Sequence, residues 1–181
     1  VDSKTGAPVW TYETSSYING APAVSNGKVV TGGCDAMIHV VSVRDGKSLV
    51  QIDAGAYIAG SPAIDNNRVY AGNYDNTLLC GDIGTGRVVW QYTESDSPYF
   101  STPAISDDIL VTGSRDHHLY CHDKKTGKLI WKFKTLDEVN SSPVICGDKV
   151  IAGSDDGRVY MINIENGKEI WSFEIGDSIT S

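Results

Sequence analysis

One pattern recurs through the whole chain at a period of about forty residues, and it limits the possible folds more than any other feature. An Asx residue, a short polar stretch, a glycine and an apolar run with one large aromatic make up each copy. The copies are Asp2–Tyr12, Ser42–Ile52, Asp82–Tyr92, Asp123–Phe133 and Asn163–Phe173, the second degraded, with Ser42 for the Asx and Val50 for the tryptophan. The turn glycines Gly6, Gly46, Gly86, Gly127 and Gly167 are spaced 40, 40, 41 and 40 residues apart. Pro22, Pro62, Pro103 and Pro143 keep step with them, as do Gly32, Gly72, Gly113 and Gly153, each followed three residues later by Asp35, Asp75, Asp116 or Asp156.

Within each period lie four short β-branched or aromatic runs separated by Gly, Asn, Asp and Ser, the composition of strands and tight turns. In the third complete unit the runs are Phe100–Ile105, Ile109–Gly113, Leu119–Asp123 and Lys128–Phe133. The second runs (Val29-Val30, Val69-Tyr70, Leu110-Val111, Val150-Ile151) are apolar on both faces, which suits strands sandwiched between sheets. In the fourth run, alternation puts Trp131 and Phe133 on one side and Ile130 on the other. No stretch keeps a helical period. Four antiparallel strands per forty residues specify an all-β chain folded as a β-propeller. The units are 17–53, 58–93, 99–134 and 139–174, with partial units at 1–14 and 175–181. Residues 8–12 form an orphan fourth strand, so the reading is four complete blades excerpted from a ring of five to eight.

The turn between third and fourth strands explains its own composition. The Asx side chain accepts backbone N–H bonds within the turn, and the glycine supplies a positive φ that a β-carbon resists. Trp10, Trp90, Trp131 and Trp171 are then docking residues, each laid across the neighbouring blade and burying on the order of 200 Å². The glycines at 6, 46, 86, 127 and 167 belong to the same structural set.

Asp-x-x-Thr-Gly-x-x-x-Trp at Asp123–Trp131, Ser-Ser-Pro-Val at Ser141–Val144 and Gly-Ser-Asp-Asp-Gly at Gly153–Gly157 resemble the PQQ-like β-propeller repeat. That is the repeat of quinoprotein alcohol dehydrogenases, of the BamB-type outer-membrane assembly lipoprotein and of many surface and sensor proteins. The resemblance covers essentially the whole chain and implies scaffold rather than any one activity. A quinoprotein site would add a vicinal Cys-Cys disulfide over the quinone, a calcium shell and a catalytic Asp. The chain has no Cys-Cys pair, and no catalytic Asp or calcium ligand can be placed residue by residue.

Ligand sites in propellers occupy the face made by the loops from fourth to first strand and from second to third. The one 41-residue period carries its extra residue in Glu94–Phe100, which makes Tyr99 and Phe100 candidates for a partner or ligand face. Tyr17, Tyr57, Arg115 and His117 join them there. The run His117-His118-Leu119-Tyr120-Cys121-His122 invites a metal reading, but on a strand His118 and His122 stand about 13 Å apart, beyond the reach of a shared ion. No metal site is expected, and Asp155-Asp156-Gly157 reads as hairpin-turn chemistry.

Fifteen Lys and Arg against 23 Asp and Glu give a net charge of −8. With no dense basic run, this argues against nucleic acid or an anionic membrane surface as partner. No apolar run approaches the roughly 20 residues of a membrane span. The cysteines Cys34, Cys80, Cys121 and Cys146 are too few and too irregular for a disulfide framework. The sequence therefore predicts a non-catalytic scaffold for protein interaction or ligand sensing that needs no cofactor, placed outside the cytoplasm in the periplasm or at the cell surface, with the cytoplasm as the other option. The alternatives are a piece of a PQQ- and calcium-dependent alcohol dehydrogenase and the sensor domain of a membrane receptor or kinase. Incomplete end blades also predict self-association.

Overall fold

The computed structural model describes residues 1–180 and resolves the repeats into four separate four-stranded sheets. Ser181, assigned above to the last partial unit, lies outside the described residues. Blade one holds β1 (Ala23–Ser25), β2 (Lys28–Gly32), β3 (Met37–Ser42) and β4 (Ser48–Asp53). Blade two holds β5 (Ala63–Asp65), β6 (Arg68–Gly72), β7 (Leu78–Asp82) and β8 (Val88–Tyr92). Blade three holds β9 (Ala104–Ile105), β10 (Ile109–Ser114), β11 (His118–Asp123) and β12 (Leu129–Lys134). Blade four holds β13 (Val144–Cys146), β14 (Lys149–Gly153), β15 (Arg158–Asn163) and β16 (Glu169–Glu174). Every sheet is an antiparallel meander in chain order, and among the described residues there is no helix.

The first strands are shorter than the pattern suggests, β9 keeping only Ala104 and Ile105. Pro103 has no N–H to give a ladder, and the N–H of Thr102 is spent on Ser142 Oγ of the next blade (3.1 Å). Ala21 makes the same reach to Ser61 Oγ (2.8 Å). Between these points the chains nearly touch: a Cβ at Gly60 would lie 2.5 Å from the carbonyl of Phe100. The first strands thus converge toward a common axis, and only glycine allows that approach.

Each third strand meets its fourth through a register shift, at Val40/Val41, Cys80/Gly81, Cys121/His122 and Met161/Ile162. An extra residue there sharpens the local twist, and it occurs at the same place in all four blades. In the turn that follows, Asp123 Oδ1 accepts from the N–H of Lys125 (3.1 Å) and of Thr126 (2.7 Å), and Gly127 has φ +73°. The core lies between blades. Val111, Leu119, Cys121 and Trp131 of blade three pack against Val150, Ala152 and Ile162 of blade four.

The indoles span those interfaces. Trp90 donates to the carbonyl of Lys124 (3.1 Å), Trp131 to that of Ile164 (2.7 Å) and Trp10 to that of Val43 (2.8 Å). Each ring covers the turn glycine of the following unit: a Cβ at Gly127 would lie 2.6 Å from Trp90, and one at Gly46 would lie 2.7 Å from Trp10. At Gly86 the smaller Val50 takes that place. Nothing lies within 4 Å of a Cβ built at Gly6, and Trp171 is half-exposed.

Candidate functional site: an aromatic track on the loop face

The loops that follow second and fourth strands are fixed to one another by backbone bonds that repeat from blade to blade. Tyr74 N–H donates to the carbonyl of Tyr57, Arg115 to that of Pro98 and Asp155 to that of Glu138 (2.9, 3.0 and 2.9 Å). A second set crosses blades, with Tyr99 N–H donating to Asn73 and Val139 to Ser114 (3.3 and 3.1 Å). Beneath these loops stand Asp–Tyr posts. Tyr120 donates to Asp116 Oδ2 (2.5 Å), which also accepts from Ser95 Oγ (3.0 Å), and Tyr160 donates to Asp156 Oδ2 (2.6 Å). Burial, followed by the adjacent carboxylate, pushes both phenols far above their ordinary range, so they stay neutral donors. In blade two Asn73 does the work instead, accepting from Thr77 N–H (2.9 Å) and donating to the carbonyl of Ala54 (2.7 Å).

On this frame a row of rings runs across blades two and three. Tyr57 meets Tyr74 edge-on at 6.4 Å, and Tyr74 meets Phe100 at 4.9 Å. The guanidinium of Arg115 lies 3.8 Å from the centre of the Phe100 ring, a cation–π contact. Its Nε donates to Asn140 Oδ1 (3.0 Å) and pairs with Glu138 (3.1 Å). Asn140 in turn donates to Asp155 Oδ2 (2.7 Å). Tyr57 and Tyr74 are exposed, so the row presents aromatic faces flanked by carboxylates on a rigid support.

The structure brings Tyr57, Phe100 and Arg115 together. Tyr17 is exposed beside blade one, without a ring contact among the described residues. His117 lies in the β10–β11 turn at φ +67°, half-exposed, its carbonyl accepting from Thr135. Tyr99 is a correction: it is fully buried and points into the core, not onto the face. A Cβ at Gly72 would lie 2.1 Å from the Tyr99 Cβ, and Ile58 and Val139 stand over Gly32 and Gly113 in the same way. Counted back from the proline, Tyr99 occupies the position of Ile18, Ile58 and Val139, which is apolar in every unit. That signal was available in the sequence. Tyr74 is the residue sequence reasoning passed over, because its counterparts Cys34, Arg115 and Asp155 share no chemistry with it.

No reactive cluster accompanies the track. Burial raises the Cys80 thiol to about 11 and the Cys121 thiol to about 12, so neither forms a thiolate at neutral pH. Burial holds His122 down to about 4, against a bond from its Nδ1–H to the carbonyl of Gly127. Among the described residues no three His, Cys, Asp or Glu side chains converge as metal ligands. No helix among them is long and apolar enough to cross a membrane.

Comparison with known proteins fits this geometry. The family described as outer membrane protein assembly factor BamB matches residues 1–102 and 99–180. No curated protein matches the chain in sequence. Among solved structures, the computationally designed protein Ika8 is 28% identical, with a TM-score of 0.82 over 91% of this chain and 51% of its own. BamB from Moraxella catarrhalis is 17% identical, with a TM-score of 0.80 over 91% of this chain and 55% of its own. The quinohemoprotein alcohol dehydrogenase ADHIIG from Pseudomonas putida HK5 is 15% identical, with a TM-score of 0.77 over 93% of this chain and 36% of its own. The chain thus spans about half the length of the first two and a third of the last, and the likeness to the two natural proteins is one of fold.

Proposed function

The chain belongs to the PQQ-like repeat family described as outer membrane protein assembly factor BamB, and on that premise we propose that it is a non-catalytic scaffold whose loop face docks another protein. The observation that carries this reading is the Tyr57–Tyr74–Phe100–Arg115 row. Rings left open on a hydrogen-bonded frame supply contact area at little entropic cost, which is the composition of protein-binding hot spots. The rest of the molecule spends its titratable groups on structure. A place outside the cytoplasm follows from the same family membership and is part of the proposal.

Photo-crosslinking in the host cell tests it. A benzophenone amino acid at Tyr57 or Tyr74 is expected to trap one discrete protein adduct, while the same group at Lys125, on the opposite end of blade three, traps none. Equal adducts from all three positions, or none from the first two, contradict the reading.

A second reading, a piece of a quinoprotein dehydrogenase, is favoured by the likeness to ADHIIG. Adding PQQ and calcium tests it: dye-linked alcohol oxidation with a quinone absorbance would replace the scaffold reading.

A further inference from the structure

Charge is divided between the two ends of the blades. Between β2 and β15, the connections that follow second and fourth strands carry nine Asp and Glu against one cation, Arg115. The turns at the opposite end, which join first to second and third to fourth strands, carry seven Lys and Arg against five Asp and Glu. The net charge of −8 is thus the sum of a strongly acidic loop face and a mildly basic far end. Such a face draws cationic groups toward itself before contact.

The aromatic row shows how a cation is held there. At its blade-three end a guanidinium already lies on a ring, Arg115 on Phe100, with Glu138 and Asn140 at its Nε. At the blade-two end the rings recur without the cation. Tyr57 is 57% exposed and Tyr74 45% exposed, and the two loops that carry them contain no Lys or Arg. Carboxylates are at hand on the same loops and the next: Asp53 ends β4, Asp75 follows Tyr74, and Glu94 and Asp96 lie on the loop that brings Phe100. All four are exposed, and none forms an ion pair among the described residues. They are the exception to the structural use of charge elsewhere in the chain.

We propose that this end of the row receives arginine side chains from an extended segment of the docked protein, each guanidinium on a tyrosine ring and against one of these carboxylates. The inference rests on the docking reading and gives its partner a chemistry. Arginine fits better than lysine, because a planar guanidinium stacks on a ring while its edge pairs with a carboxylate, as Arg115 does. The ring centres of Tyr57 and Tyr74 are 6.4 Å apart. Alternate residues of an extended strand, whose side chains share a face, are roughly 6.6 Å apart. Two arginines separated by one residue therefore match the pair of rings.

Isothermal titration of the full chain with a short synthetic peptide of alternating arginine and serine tests this. Saturable binding is expected, weakening as salt is added. The lysine–serine peptide of the same charge should bind about threefold more weakly. Tyr57→Ser and Tyr74→Ser, which leave the charge unchanged, should each weaken the arginine peptide by about threefold or more. Asp75→Asn should weaken it too, while Asp107→Asn, the same charge change at the far end of blade three, leaves it unchanged. No saturable binding, equal binding of the two peptides, or binding that the tyrosine variants leave untouched would overturn the inference. The crosslinking at Tyr57 and Tyr74 separates it from the docking reading. An adduct whose crosslinked segment carries Arg-x-Arg supports both; one whose segment lacks arginine keeps the docking reading and overturns this inference; the absence of any adduct overturns both.

Discussion

The contribution of a tryptophan in this chain depends on what lies over it. Trp131 is 8% exposed and packs in the core between blades three and four, so Trp131→Ala is expected to cost about 3–5 kcal/mol in a denaturant melt. Trp10 is held by one unpaired segment above an apolar recess, and its loss costs less. Trp171 is half-exposed, and Trp171→Ala in this chain should stay within about 0.5 kcal/mol of the parent. His122 carries the pH dependence. Its native proton affinity is centred near 4, against an ordinary 6.5, so between those values the unfolded chain takes up a proton that the native chain refuses. Stability is therefore full above about pH 6.5 and falls by about 3 kcal/mol as the pH drops to about 4. His122→Ile, which installs the residue found at Ile162, should flatten that part of a stability-against-pH curve; an unchanged slope would place the titrating group elsewhere. Residue roles were legible where the repeat held a type constant, as at the glycines. They were not legible at Tyr74, where one position carries four different chemistries.

At the scale of the element, the number and order of strands could be read from the alternation and the turns, while their ends could not. The first strands lose residues because their N–H groups go to a neighbouring blade, a tertiary bond with no local signal. The loops are held by the Asp–Tyr posts, and this gives a prediction. Asp116→Ala leaves the Tyr120 hydroxyl and the N–H of His118 without their acceptor and should cost about 2 kcal/mol, measured as a shift in denaturant midpoint. Asp75→Ala, in the blade where Asn73 holds the loop, should cost clearly less. Equal shifts would mean that the posts do not carry the loops. The extra residue at Glu94–Phe100 marked the right loop but not the ring that faces out. Which of two adjacent aromatics turns inward is set by packing on Gly72, and the count from Pro103, which puts Tyr99 at the position that is apolar in every unit, is the signal that its assignment to the face overlooked.

For the whole molecule, the architecture reduces to one unit, copied around an axis and fastened to its successor by a side chain lying on a glycine, an indole on Gly46, Gly127 and Gly167 and Val50 on Gly86. Burial holds the Cys80 and Cys121 thiols protonated and His122 neutral in the interior that supports the loop face. Everything placed on that face depends on the fastening, because the rows of rings cross from one blade to the next. A double-mutant cycle on one fastening, Trp131 with Gly167, tests this most directly. A Cβ at Gly167 would lie 2.8 Å from the indole, at φ +69°, so Gly167→Ala alone is expected to destabilise both by that clash and by backbone strain. In the Trp131→Ala background the ring contacts are gone and only the Cβ of residue 131, 3.0 Å away, is left, so the account predicts that Gly167→Ala then costs clearly less than in the parent. If the two losses simply add, the indole and the glycine are not one contact, and the unit-to-unit fastening described for this fold is contradicted.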